Sequence, residues 1–375
     1  MKLAHVCKWT PGACGMYETV HDLVAAERAI GIDARFVCVG DLAMKGVSAR
    51  PAGDPCPNCG WVQIERIEQP KPIPDWTENR GIPKAPLAWI EECDLIVSHS
   101  GLPAGFPMAK NTPRIHVAHG RPRSSYLLGA YENNHVYSAY SEYAKDERFK
   151  ALVTLWPGYG RYWRVVFPRP VIELEPFVNL DRWVVTESDY DFGGKCGRPN
   201  VVITDIWRLD RDPFHVVTAF AEFAKEQPNA KLHIYGLEQK AATAMAPILD
   251  ALSKRNVLGE ICGYRSDLSV IYNAADMLIT PHRIATRTVR EAMACGLQVV
   301  GGLGNRYTPY RADEEDLDAY VAEMAAAWRD QLNHPEARRR DNRGLAERFF
   351  NPNVAAVAMG KLASDILGKA KKEAA

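Results

Sequence analysis

Apolar residues along the chain fall into short continuous runs, and amphipathic stretches separate them. The runs KLAHV, DARFVCVG, CDLIVSHS (Cys93 to Ser100) and PRIHVAHG (Pro113 to Gly120) have the unbroken apolar character of strands covered on both faces. Between the first two lies YETVHDLVAAERAIG. It puts Val20, Leu23, Val24 and Ala26 on one side and stops at Gly31, which predicts an amphipathic helix. The second half repeats the style. NVVITDI, AKLHIYG, DMLITP and LQVVGG read as strands. PFHVVTAFAEFAKE, SDLSVIYNAA and TVREAMACG read as helices, as does the C-terminal NPNVAAVAMGKLASDILGKAKKEAA. Strands alternating with helices predict an α/β chain whose parallel sheets carry helices on both faces.

A length of 375 residues suits two domains. The polar, Gly-rich segment 186–199 reads as a linker. Residues 1–185 then form a first Rossmann-like domain, 200–352 a second, and 353–375 a terminal helix that returns to the first. Segment 48–86 is a Pro-rich excursion within the first domain, long enough to carry function of its own. Lysine plus arginine equals aspartate plus glutamate at 46 each. The balance lends no support to a polyanionic partner, although a local basic patch stays open. MKLAHVCKWTPGACG has no sustained apolar core of a signal peptide, and no run nears the roughly 18 apolar residues of a membrane span. Nine cysteines, an odd number set in apolar stretches, fit reduced buried thiols. A cytoplasmic protein with no membrane span is the expectation.

Candidate chemistry concentrates in TPHRIATRTVREAMACGLQVVGG. A strand ends at Pro281, and a helix starts near Thr286 to Thr288. Helix-start N–H groups attract anions, phosphate above all. Arg283 and Arg287 would add cations beside them, and Glu291 lies one turn on, on the face of Arg287. A carboxylate there can accept two ribose hydroxyls, so the set fits a nucleoside diphosphate. An Arg287–Glu291 surface ion pair would use the same spacing. In the Gly-rich turn TPGACGMYET, Gly12 and Gly15 would let backbone approach a phosphate, or simply make a tight strand-to-helix turn. HVAHGRPRSS places His116, His119, Arg121 and Arg123 at a strand end, where ligands collect in open α/β sheets. Cys56 and Cys59 of CPNCG resemble half a zinc ribbon. No second CxxC exists, and Cys38, Cys93 and His99 are the candidate completions beside the simpler reading of a turn with buried thiols.

NAADMLITP and VREAMACGLQVVGG resemble the donor-binding region of family 4 retaining glycosyltransferases. The likeness continues in order through PGACGMYETVHDLVAAERAIGIDARFV, DLIVSHS, RIHVAHG, PFVNLDRW and TDIWRLDRDPFHVVTAFAEFAKEQPNAKLHIYG, and so covers most of the chain. It implies a glycosyltransferase B-type fold: two Rossmann-like domains facing a cleft, acceptor on the first and nucleotide-sugar on the second. It implies that Glu291 binds ribose, that the base meets backbone around Gly263 and Tyr264, and that His119 lies near the anomeric centre or the acceptor. The leaving diphosphate would be stabilised by Arg208, Arg211 and helix amides rather than by a metal. Three departures stand out. The first Glu of the family's paired-Glu motif falls at Arg283, its Phe-Gly falls at Ala285–Thr286, and Asp212 sits at or near the phosphate-binding lysine.

The implied activity is transfer of a sugar from a nucleoside-diphosphate sugar, as co-substrate with no other cofactor, to an acceptor hydroxyl with retention. The acceptor, whether glycan, lipid or small molecule, is not legible. Two rivals remain. One is a glycosyltransferase acting on a modified base in DNA, through a basic aromatic surface that includes Arg114, His116, Arg161, Arg164, Arg169, Trp156 and Trp163. The other is an inactive nucleotide-sugar-binding module, suggested by Arg283.

Overall fold

The computed structural model describes residues 1–7, 15–38, 56, 58–60, 62–63, 66–67, 82–83, 92–99, 111–120, 122, 143–205, 213–237, 239–313 and 315–374. The chain divides into two units, Met1–Phe177 with Pro352–Ala375, and Val178–Asn351.

In the first unit, β1 (Lys2–Cys7) leads to α1 (Gly15–Ala29) and β2 (Asp33–Cys38). Short strands β3 (Val62–Gln63), β4 (Arg66–Ile67) and β5 (Ile82–Pro83) fall in the Pro-rich excursion. Then come β6 (Leu95–Ser98), β7 (Arg114–Ala118), β8 (Phe149–Thr154), the single-turn α2 (Gly160–Trp163) and β9 (Val171–Glu173). Among the described residues the sheet has seven strands in the order β3-β2-β1-β6-β7-β8-β9, with β4 and β5 paired antiparallel apart from it. All the ladders of the large sheet are parallel. β6 is buried along its length, as a strand covered on both faces must be.

The second unit contains β10 (Asn200–Ile203), α3 (Phe214–Glu226), β11 (Lys231–Tyr235), α4 (Gln239–Lys254), β12 (Leu258–Cys262) and α5 (Leu268–Ala274). It continues through β13 (Met277–Ile279), α6 (Arg287–Ala294), β14 (Gln298–Gly302), β15 (Tyr310–Ala312), α7 (Leu317–Asn333) and α8 (Pro335–Phe349). Its six-stranded sheet runs β12-β11-β10-β13-β14-β15, again all parallel. α3 shows why such helices dock. Val216, Val217, Phe220, Phe223 and Ala224 recur at helical spacing and are all buried.

The last helix, α9 (Pro352–Ala374), belongs to the first unit. Its Ala355, Ala356, Met359, Ala363 and Ile366 share a core with Val20, Leu23 and Val24 of α1. Burying each larger side chain contributes about 1.5–3 kcal/mol. No helix among the described residues is long and apolar enough to cross a membrane.

Segment 186–199 is not a free linker. It packs in the second unit, whose first residue is Val178. Phe192 is buried and stacks on His233, with ring centroids 4.0 Å apart, and the Tyr190 hydroxyl donates to Glu260 at 2.6 Å. Gly193 and Gly194, at φ 65° and 73°, supply the left-handed turn after Phe192. The glycines that made the stretch read as flexible serve to return a buried aromatic to the core.

Each sheet reverses its direction of winding once, between β1 and β6 in the first unit and between β10 and β13 in the second. Open α/β sheets collect ligands outside the strand C-termini at such points.

Candidate active site

At the reversal in the second unit, Thr204 and Asp205 directly follow β10 and Thr280 directly follows β13. The two strands are adjacent and parallel, so their ends emerge side by side. Asp205, 5% exposed, accepts from the Thr280 hydroxyl at 3.0 Å and the Thr288 hydroxyl at 2.7 Å. His282 Nε2 stands 3.2 Å from the same carboxylate. Thr288 spends its one proton on Asp205, so in the 3.0 Å contact between Thr286 and Thr288 it is Thr286 that donates. Thr286 is the N-cap of α6, and its side chain makes no cap bond. Its hydroxyl therefore leaves the first-turn N–H groups of α6 to other acceptors. Tyr320 fixes the strand end, its hydroxyl donating towards the Thr280 and Val300 carbonyls at 3.0 and 2.9 Å.

α6 buries Arg287, Arg290 and Glu291 along with its apolar residues. Arg287 Nε donates to Glu291 at 2.6 Å, and the two side chains are only 8% and 7% exposed. The ion pair foreseen as a surface feature is thus buried. Holding both charges out of water is costly, and buried charge beside a helix start is a mark of a site. Arg283 lies at the strand-end loop and pairs with Asp313 at 2.9 Å, both half-exposed. Gly302 and Gly304 let the loop lie close. A Cβ at Gly304 would meet the Arg283 carbonyl at 2.3 Å. Gly263 follows β12, with its carbonyl accepting from Gly236 N at 2.9 Å, and Tyr264 is exposed. Arg208 and Arg211 lie outside the described residues.

The first unit assembles histidines at its own reversal. Glu27 on α1 and His5 on β1 are both fully buried, with Glu27 Oε2 2.7 Å from His5 Nε2. The two groups touch off hydrogen-bond alignment. His5 Nδ1 meets His99 Nε2 at 3.0 Å, and His99 Nδ1 meets His119 Nε2 at 2.8 Å. His116 turns aside to Ser98 Oγ at 2.8 Å. Burial, reinforced by the neighbouring His119, pushes His116 down to about 3. Burial and the three rings around it hold His99 well below the ordinary histidine range. Gly15 is the first residue of α1, while Gly12, Arg121 and Arg123 lie outside the described residues.

Cys56 and Cys59 are buried together beside His21 of α1. Burial alone would raise the Cys56 thiol. The Cys59 and Asn58 N–H groups and His21 outweigh it and bring the thiol to about 7. Cys93 and His99, named as completions of this pair, are not in the cluster; His99 belongs to the histidine chain.

The described members of the basic aromatic set offered for DNA divide between core and surface. Arg114 is buried and pairs with Asp146 at 3.1 Å. Arg169 Nη2 donates to the Tyr143, Ala144 and Asp146 carbonyls. Trp163 is fully buried, and Trp156 Nε1 donates to the His119 carbonyl at 2.9 Å. Arg161, Tyr162 and Arg164, by contrast, are exposed on and just after α2.

The family model described as glycosyl transferases group 1 matches residues 210–330. Residues 210–330 are a glycosyl transferase group 1 domain. The matched segment takes in His282, Arg283, α6 and Asp313. No curated protein sequence matches the chain. Among solved structures, a sucrose-phosphate synthase from Thermosynechococcus elongatus is 16% identical with a TM-score of 0.67, over 98% of this chain and 100% of that one. HepE of Anabaena, in complex with UDP and glucose, is 12% identical with a TM-score of 0.67, over 97% and 99%. An alpha-glucosyltransferase in complex with UDP and a 13-mer DNA is 10% identical with a TM-score of 0.63, over 97% and 99%. At these identities the likeness is one of fold. The group 1 match thus falls within the second of two parallel-sheet, Rossmann-like units, the fold class expected from the alternation of strands and helices.

Asp205, Thr280, Asp313, Glu27, His5 and His21 were not among the candidate residues. Asp205 had a signal in the sequence, a carboxylate directly after the apolar run NVVIT. The others had none, because nothing local distinguishes them from ordinary strand and helix residues.

Proposed function

We propose that the protein is a glycosyltransferase that moves a sugar from a nucleoside-diphosphate sugar to an acceptor hydroxyl, with retention at the anomeric carbon. The reading rests on one observation above others: a buried carboxylate just before the matched segment, with two threonines and a histidine inside it, orders the start of α6. The diphosphate lies against the α6 amides, with Arg208 and Arg211 as its cations and Thr286, Arg287 and Thr288 around it. Glu291 takes the ribose, and the base lies near Gly263 and Tyr264. His119, flanked by His116, Arg121 and Arg123, serves the acceptor side. The aligned amides and arginines take up the charge that develops as the glycosidic bond to phosphate breaks. A thermal-shift screen over nucleoside diphosphates and their sugars tests the reading. A true donor at a hundredfold excess over its Kd raises stability by about 2.7 kcal/mol. No shift with any of them would end the proposal.

Glu291→Gln should weaken the nucleoside diphosphate by about 1.5–3 kcal/mol, the value of a hydrogen bond to a charged group. It should also lower Tm, because Arg287 loses its buried counter-charge. The double variant Arg287→Met, Glu291→Gln separates the two effects. Stability should recover while affinity, measured by calorimetry, should not. Wild-type affinity in the double variant would reduce Glu291 to a structural partner.

Arg283→Glu should abolish transfer. Guanidinium only donates, so Arg283 suits a phosphate or an oxygen-rich sugar. Glutamate would repel both and would face Asp313. Adding Asp313→Lys restores a local ion pair with its signs reversed. Transfer should stay lost. Wild-type turnover in either variant would remove Arg283 from the site.

A further inference from the structure

We propose that His21, Cys56 and Cys59 bind a divalent zinc ion that ties the Cys56–Gly60 turn to helix α1. The three ligand atoms lie within 4.8 Å of one another, with His21 Nε2 3.3 Å from Cys56 Sγ. Around one tetrahedral zinc, at about 2.3 Å to sulfur and about 2.0 Å to nitrogen, such atoms stand about 3.5–3.8 Å apart, so no pair need close by more than about 1.3 Å. Cys56 Sγ accepts from the backbone N–H groups of Asn58 and Cys59. Gly60, at φ 55°, closes the turn by donating to the Cys56 carbonyl at 2.7 Å. This wraps backbone donors around a sulfur that carries negative charge. Behind the imidazole, Asp22 Oδ1 stands 3.5 Å from His21 Nδ1, the side away from the thiols. A carboxylate there holds the Nδ1–H tautomer and turns the Nε2 lone pair towards the ion. On binding, the two thiols release their protons, and the two thiolates balance the ion's charge. The described residues supply three of the four places of a tetrahedral ion.

Purification under reducing conditions followed by elemental analysis should find one zinc per chain. Titration of apo-protein with cobalt(II) should give the visible bands of a tetrahedral ion and thiolate-to-cobalt charge transfer. The double variant Cys56→Ser, Cys59→Ser should lose both signals. Failure of the reduced wild-type chain to take up stoichiometric metal would overturn the site, and needs no variant that folds. Cobalt bound without thiolate charge transfer, or zinc kept by the double variant, would place the metal elsewhere and overturn it equally.

A second observation is independent of the first. We infer that Glu27, His5 and His99 form a proton relay that sets the ring state of His119. Its use in transfer rests on the proposed placing of His119. The relay places a proton on His5 Nε2, which faces a Glu27 oxygen at 2.7 Å. His5 Nδ1 then accepts from His99 Nε2–H, and His99 Nδ1 accepts from His119 Nε2–H. The neutral chain thus has one orientation, with Nδ1 of His119 as its outer acceptor. A proton taken at that Nδ1 moves the His119 Nε2 proton to His99 Nδ1 and the His99 Nε2 proton to His5 Nδ1. The protons thus shift inward along the chain, away from the strand end. The groups facing the relay are Glu27 from α1, His5 from β1, His116 from β7, and the two rings that follow β6 and β7.

Nitrogen-15 spectra of the histidine rings, assigned by substitution, read this directly and need no substrate. Neutral His119 should be the Nε2–H tautomer, and Glu27→Gln should lower its apparent pKa by one unit or more. An Nδ1–H tautomer, or an unmoved titration in a folded Glu27→Gln chain, would overturn the relay whether or not the protein transfers sugar. If the titration moves but the acid limb of kcat/KM does not, the relay exists and the placing of His119 fails.

Discussion

Asp205→Ala should destabilise the second unit by about 3 kcal/mol or more and abolish nucleoside-diphosphate binding. The Thr280 and Thr288 hydroxyls lose their acceptor, and His282 loses the carboxylate beside it, all in a buried setting. Each buried group left unsatisfied costs about 1–3 kcal/mol. Binding fails because the carboxylate is what joins the end of β10 to the loop before α6. Asp205→Asn is the sharper variant. It keeps the volume but offers one amide oxygen, and its NH2 faces a hydroxyl or a ring N–H. It should bind donor poorly even where it folds. Chemical denaturation and calorimetry measure the two effects separately. Donor affinity at the wild-type level in a folded Asp205→Asn chain would mean that the cluster only braces the sheet.

Lowering the pH from 7.5 to 5 should withdraw the stabilisation that His116 gives the first unit and His233 the second. Burial lowers His116 to about 3 and His233 to about 4, and it holds His99 well below the usual range. All three rings stay neutral in the folded chain but take up a proton once unfolded, near pH 6.5. Their stabilisation is complete above that value and is lost as the pH falls towards the folded values. At pH 5 His116 and His233 have each given up about 2 kcal/mol, since one pKa unit corresponds to about 1.36 kcal/mol. His99 acts in the same direction as His116 in the first unit. Calorimetry across this range reads the transitions. Midpoints flat from pH 7.5 to 5 would show that these rings are protonated in the folded chain or are solvated.

The sequence by itself determined the architecture and the address of the donor half of the site. KLAHV, DLIVS and NVVI can be satisfied only inside a parallel sheet, because apolar runs that short, alternating with amphipathic helices, need cover on both faces. The Thr286 to Glu291 segment was legible because helix starts and i,i+4 pairs are local geometry. α4 was not among the elements predicted; Pro247 lies inside it and reads as a breaker. The linker was misjudged because a Gly-Gly pair looks alike whether it frees a chain or turns one buried aromatic back into a core.

Only the tertiary structure decided which side chains meet. Parallel pairing sets β1 beside β6 and β10 beside β13, although long stretches of chain separate them. That pairing brings His5 to His99 and Asp205 to Thr280. α1, packed against the sheet, carries Glu27 to His5 and His21 to Cys56 and Cys59. It also decided the character of the Arg287–Glu291 pair. Spacing fixes that the two can touch, whereas the layers packed around α6 fix that they do so out of water. A sequence states local contacts because the chain's own geometry enforces them. Contacts across a sheet depend on strand order, which no single stretch of residues encodes.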